Sequence, residues 1–127
     1  MKTVRRLLRC ERGVSTVELA IVITAFLGLI FGIFNVGMML WTASSLRYAA
    51  ESAARCAAVN STSCGSATAV KAYAMARYTG RPLGRTNPFS YSATGCGHTV
   101  TANYTYSLSI PLYGSRSVPL SVSACFP

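Results

Sequence analysis

The sequence predicts an α+β fold: a long N-terminal helix, apolar in its first half, leading into a small head with a second helix and a short antiparallel sheet. Three observations carry this. No charged residue interrupts the run from Leu19 to Trp41, and no proline occurs before Pro82. Beyond Pro88 the apolar residues change to a period of two. Four cysteines, Cys56, Cys64, Cys96 and Cys125, all follow the apolar run. At 127 residues the chain has room for one small domain beyond such a helix.

The helix is expected from Val14 to about Val59. Its polar half is rich in alanine (Ala49, Ala50, Ala53, Ala54, Ala57, Ala58), the best helix former. At ~1.5 Å per residue it would be about 69 Å long, roughly twice the hydrocarbon thickness of a bilayer, so its second half must stand outside the membrane. Leu19–Trp41 meets the ~20-residue requirement of a single span and exceeds the ~7–15-residue core of a secretory signal. Five of the twelve basic residues (Lys2, Arg5, Arg6, Arg9, Arg12) precede the run, which by the positive-inside rule places the N-terminus in the cytoplasm and the rest outside. Cys10 follows Leu7-Leu8-Arg9, but this lies ahead of the apolar run and has an arginine beside the cysteine, so it is not a lipidation box. Within the run, Gly28 and Gly32 form a small-x-x-x-small pair that would let another helix approach. Ala49, Ala53 and Ala57 make a second smooth stripe farther on.

One residue does not fit a plain anchor. Glu18 lies just inside the apolar segment, where a carboxylate is costly and a functional role is the default reading. Gly13 stands five residues before it.

In the head, an even set of cysteines in a small external domain reads as two disulfides. Sequence allows three connectivities. The favoured one joins Cys56 to Cys64 across Asn60-Ser61-Thr62-Ser63, where the long helix must end, and Cys96 to Cys125, tying the C-terminus to the start of a strand. No Cys-x-x-Cys occurs and His98 is the only histidine, so no metal is expected. A second helix is expected from Ser66 or Ala67 to Thr79: Ser66 is the N-cap, Val70, Ala74 and Tyr78 share a face, and Gly80 takes the left-handed C-terminal position. Gly80 to Pro88 is a loop punctuated by Gly and Pro. Phe89, Tyr91 and Ala93 then alternate with polar neighbours. The clearest strand places Val100, Ala102, Tyr104, Tyr106, Leu108 and Ile110 on one face. After a turn at Tyr113-Gly114-Ser115, Val118, Leu120, Val122 and Phe126 continue the pattern, and Pro119 confines this last strand to a sheet edge. The apolar face needs a cover, which the outer part of the long helix and the second helix can supply.

Arg12-Gly13-Val14-Ser15-Thr16-Val17-Glu18, with an apolar helix starting at once, resembles the processing site of type IV prepilins. Ala20, Phe31-Gly32, Gly37, Leu46, Ala49-Ala50 and Ala53-Ala54-Arg55 sharpen the resemblance to the TadE-like minor pilins and pseudopilins of tight-adherence pilus systems. The cysteine pair about the first helix end and the terminal Cys125-Phe126-Pro127 are also similar to that group. The chain departs from it in having Thr24 where the family often has a proline after the glutamate. The resemblance implies three segments: a basic leader at 1–13, a transmembrane helix at 14–41, and a stalk with a disulfide-bonded α+β head at 42–127. It also implies cleavage by a prepilin peptidase between Gly13 and Val14 and a role for Glu18 in assembly. The implied partners are other pilin subunits, an inner-membrane assembly platform and the lipid bilayer. The implied location is the bacterial inner membrane, N-terminus cytoplasmic and head periplasmic, with possible incorporation into an extracellular pilus used in surface adherence.

Without the leader the chain keeps seven Lys or Arg (Arg47, Arg55, Lys71, Arg77, Arg81, Arg85, Arg116) against Glu18 and Glu51, a formal +5. Those cations are scattered, as on a solvated surface. Tyr73, Arg77, Tyr78 and Arg81 have the composition of a single-strand binding patch, but at helical spacing they read as packing, and nucleic acid is not an expected partner. Two distant carboxylates and one histidine assemble no acid/base pair and no nucleophile with its base, and no phosphate-binding glycine loop exists. An enzyme is therefore not expected, nor a cofactor. The rival readings are a single-pass envelope binding protein that never polymerises and a minor pseudopilin of a secretion apparatus.

Overall fold

The computed structural model describes residues 12–93, 95–110 and 114–127. The expected leader, residues 1–13, lies outside these but for its last two positions, and so does Tyr113 of the expected turn. The elements run α1 (Arg12–Val59), α2 (Ser61–Cys64), α3 (Ala67–Arg77), β1 (Phe89–Ser92), β2 (His98–Ile110) and β3 (Gly114–Phe126). The expected α+β architecture is the one observed. The chain divides into two compact units, residues 1–34 and 35–127.

The described part of the first unit, residues 12–34, is helix. It has no proline, and Thr24 Oγ1 donates to the Ala20 carbonyl at 2.8 Å, so that side chain presents no free donor to an apolar surrounding.

The second unit is a three-stranded antiparallel sheet in the order β1-β2-β3, covered by the later part of α1 and by α3. β2 pairs with β3 from His98↔Phe126 to Ile110↔Gly114, and β1 pairs with β2 only from Phe89↔Ala102 to Ser92↔Thr99. Val100, Ala102 and Tyr106 are buried and Tyr104 and Leu108 half-buried, while Asn103, Thr105, Ser107 and Ser109 are exposed. The period of two thus selects the face that meets the helices. That face joins Leu46, Ala49, Ala50, Ala53, Ala54 and Ala57 of α1 with Val70 and Ala74 of α3 in one core. Alanine is required on α1 because the sheet and α3 converge on it. The stripe of small residues is thus used inside the head.

Pro119 lies opposite Thr105 on the edge strand, as its missing N–H demands. Ala124 takes the inward place near the strand end, and Phe126 beyond it is 38% exposed. Ala93 falls outside β1.

Two local expectations are corrected. The turn Asn60–Ser63 is the start of a short helix, with Asn60 as its cap: the Ser63 N–H donates to Asn60 Oδ1 at 3.1 Å. The second helix stops at Arg77 and not at Thr79. Ser66 caps its start, accepting from the Ala69 N–H at 3.2 Å. At the other end Tyr78 turns extended, its N–H still reaching the Ala74 and Met75 carbonyls, and the Thr79 N–H leaves the helix for Ser45 Oγ of α1 at 2.9 Å. A long-range acceptor thus outcompetes one more helical turn. Gly80 is not left-handed. It is needed because a Cβ there would collide with the Tyr78 ring, whose hydroxyl donates to the Arg81 carbonyl at 2.7 Å.

Cys56 and Cys64 lie at disulfide distance, with Cα atoms 5.8 Å apart, and so do Cys96 and Cys125 at 6.4 Å. Gly97 follows Cys96 with φ +126°, and a Cβ on it would strike the Phe126 carbonyl and Pro127, so glycine lets the chain end close over the start of β2. Loops of this size favour folding by about 2–4 kcal/mol each, more for the longer one. Cys125→Ser is therefore expected to cost more stability than Cys56→Ser, given sequence separations of 29 and 8. Denaturant melts of the oxidised full chain in detergent read the difference; equal midpoints for both variants and the parent would refute it.

Candidate functional site: the apolar helix and its start

Gly13 and Val14 lie in the first turn of α1, directly after Arg12. One turn on is Glu18, exposed, between Val17 and Leu19, which are 61% and 57% exposed. Among the described residues Glu18 has no partner. The ion pair they contain is Arg47–Glu51 at 2.9 Å, an i, i+4 pair whose side chains are 72% and 56% exposed and which contributes little to stability. Among the described residues no nucleophile or base is assembled around Glu18.

From Ser15 to Phe34 every side chain is exposed, so no residue of this apolar segment is covered within the chain. The segment is long and apolar enough to cross a membrane, as part of a single candidate span with mean hydropathy 2.5. A Cβ built on Gly28 or Gly32 meets nothing within 4 Å, so neither glycine is explained by packing in this chain. They belong to a longer row that the sequence reading did not single out: Thr16, Ala20, Thr24, Gly28 and Gly32 recur every fourth residue. A shallow concavity of about 650 Å³ follows its start along Thr16, Val17, Ala20, Ile21, Thr24 and Ala25. Counting small residues at i, i+4 across the whole run, with Thr included, would have found it.

Near the other end of the run the chemistry is polar and internal. Thr42 is buried and donates to the Met38 carbonyl at 2.8 Å, and Ser45 lies 3.3 Å from Thr79 Oγ1. Burial, chiefly, and the neighbouring Tyr104 raise the pKa of the Tyr78 hydroxyl, against a smaller opposite effect of Thr42. Farther out, Tyr91 Oη and His98 Nδ1 lie 2.6 Å apart with their rings stacked. That pairing gives the histidine a structural partner on the neighbouring strand. Among the described residues no group of three metal-ligating side chains occurs. Arg77 lies over the Tyr73 ring at 5.1 Å, the packing expected of that basic and aromatic patch.

Residues 13–55 match the family model described as TadE-like protein, 43 of the chain's 127 residues. The matched segment begins at Gly13 and covers the exposed apolar helix and the alanine stripe of the head as far as Ala54. Comparison with curated proteins and comparison with solved structures gave no match.

Proposed function

We propose that this chain is a structural minor pilin or pseudopilin: a single-pass, non-catalytic subunit that prepilin peptidase cuts after Gly13 and that then takes part in assembling a tight-adherence pilus. The observation that carries this reading is that the family match starts at Gly13, the residue at which the cut is expected, and is followed by an uncovered apolar helix with a lone carboxylate at Glu18. The basic leader stays in the cytoplasm and the head faces the periplasm, because five cations precede the span. The exposed row of small residues supports close approach of a neighbouring subunit's helix. Surface adherence follows from the pilus and not from any site in the head.

Processing tests the reading. Glycine at the cleavage position passes a narrow active site without a side chain, so Gly13→Leu is expected to leave nearly all of the protein as precursor. Intact-mass measurement of membrane-extracted protein reads it: the parent should begin at Val14. A mature N-terminus elsewhere, or normal cutting of Gly13→Leu, refutes the proposal.

A further inference from the structure

Two of the head's cations, scattered in sequence, meet in the fold. Arg55 of α1 and Arg77 of α3 both line a concavity of about 370 Å³, together with Val59, where α1 ends, and Asn60 and Ser63 at the turn into α2. No carboxylate is among its lining residues. Glu51, one turn before Arg55, is the partner a helix would ordinarily supply, since a glutamate four residues ahead of a cation is the favoured order. It is paired with Arg47 instead, at 2.9 Å, and it is the only carboxylate side chain of the second unit. Among the described residues neither Arg55 nor Arg77 has an ion-pair partner. Two like charges around one small space repel, and an anion between them removes the repulsion.

The arrangement is also preset. Arg77 lies over the Tyr73 ring at 5.1 Å, which holds the guanidinium plane while its N–H edge stays free to bond. Cys56 and Cys64, with Cα atoms 5.8 Å apart, tie α2 to the last turn of α1, so Asn60 and Ser63 keep their place on the rim. Asn60 Oδ1 is occupied by the Ser63 N–H, which leaves the amide nitrogen to donate. Ser52 and Ser63 add hydroxyls, and Val59, 72% exposed, adds an apolar patch.

These features select among anions. Guanidinium forks match a carboxylate or a phosphate. Hydroxyl and amide groups beside an apolar patch suit a ring with hydroxyls at its edge and C–H groups on its face. The volume is at the low end of the ~300–1,000 Å³ usual for ligand sites, so it takes one such ring and not a chain of them. A nucleic acid strand would need open aromatic faces, whereas Tyr73 is packed against the core and covered by Arg77.

We propose that this concavity binds a single anionic sugar unit, with its carboxylate or phosphate held between Arg55 and Arg77 and its hydroxyls by Ser52, Asn60 and Ser63. The site lies wholly within the second unit. It goes beyond the pilin reading and is tested on the unassembled chain.

The test is an NMR titration of the full chain, in an uncharged and sugar-free detergent, with glucuronate, glucose 6-phosphate, glucose and inorganic phosphate. Both anionic sugars are expected to saturate at millimolar concentration, and the tighter of the two identifies the anion. Glucose should leave the amides about the concavity unmoved, and inorganic phosphate should bind more weakly than glucose 6-phosphate. Arg55→Gln and Arg77→Gln should each raise Kd about tenfold, the loss of one charge-assisted hydrogen bond. Ser63→Glu should do the same with both arginines in place. Arg85→Gln removes a cation outside the concavity and should change nothing. No saturation by either anionic sugar, equal binding of glucose or of inorganic phosphate, or an equal loss in Arg85→Gln overturns the site. Tighter binding of a short oligothymidylate than of either sugar overturns the ligand class. None of these results bears on cleavage after Gly13.

Discussion

Glu18→Ala is expected to leave the chain inserted and cut after Gly13 but absent from assembled pili. Under the proposed processing, cleavage would give Val14 a free ammonium, and four residues at ~1.5 Å put Glu18 about 6 Å along the helix, so both charges would lie at the lipid boundary. An unpaired charge costs about 2.5–3.5 kcal/mol at the middle of a span and less near its edge. In this chain Glu18 is exposed and has no partner among the described residues, so no pairing among them relieves the cost. A neighbour that offers its amine relieves it, and at the same time fixes the stagger between helices. Recovering only about 1.4 kcal/mol per junction is a tenfold preference, and a fibre repeats it at every step. Loss of the carboxylate should therefore reduce incorporation at least tenfold, with Glu18→Asp intermediate, as read by immunoblot of sheared pili against the membrane fraction. A bond from Glu18 to its own N-terminus is the competing account. It predicts unchanged crosslinking between subunits in Glu18→Ala, and that result would end the assembly role.

The features legible in the sequence are those set by local rules. The absence of proline over α1, the alternation from Val100 to Leu108 and the placement of Pro119 each follow from the backbone needs of one element, and the structure has all three. Gly13 and Glu18 stand out in the sequence on the same kind of ground, since six consecutive residues of one helix hold them both. The end of α3 was not visible. It depends on Ser45, 34 residues away in sequence, accepting the Thr79 N–H, and no local propensity encodes an acceptor at that distance. Hydropathy likewise could not divide the apolar run. Met38 and Met39 are as apolar as Leu40 and Trp41, yet the first two face the head and the last two do not. Lipid and protein interior select the same side chains, so only the covered face of the folded helix separates them. The alanine stripe had the converse fate. Its spacing called for close packing, and the partner is the head's own sheet and second helix.

That packing makes Tyr106→Ala the most damaging core substitution expected in the head. Tyr106 is 2% exposed and the largest of the fully buried side chains, and it lies in the two-stranded hairpin, four residues beyond Ala102 where pairing with β1 ends. β1 pairs β2 only as far as Ala102, so no strand on that side closes over a vacancy at Tyr106. Truncating a buried aromatic to alanine costs about 3–5 kcal/mol where the site does not collapse. The second unit, Asn35–Pro127, has 93 residues, for which about 5–14 kcal/mol of total stability is typical. The substitution should thus remove about a fifth of it or more and lower Tm by more than about 10 °C, followed by near-UV circular dichroism of the full chain in detergent. Tyr106→Phe keeps the ring beneath Arg81 and should lose far less. If the alanine variant melted within about 2 °C of the parent, Tyr106 would not be the joint between sheet and helices. In the proposed reading cleavage after Gly13 should be unchanged in both variants, because a prepilin peptidase would read a local sequence on the other side of the membrane from the head.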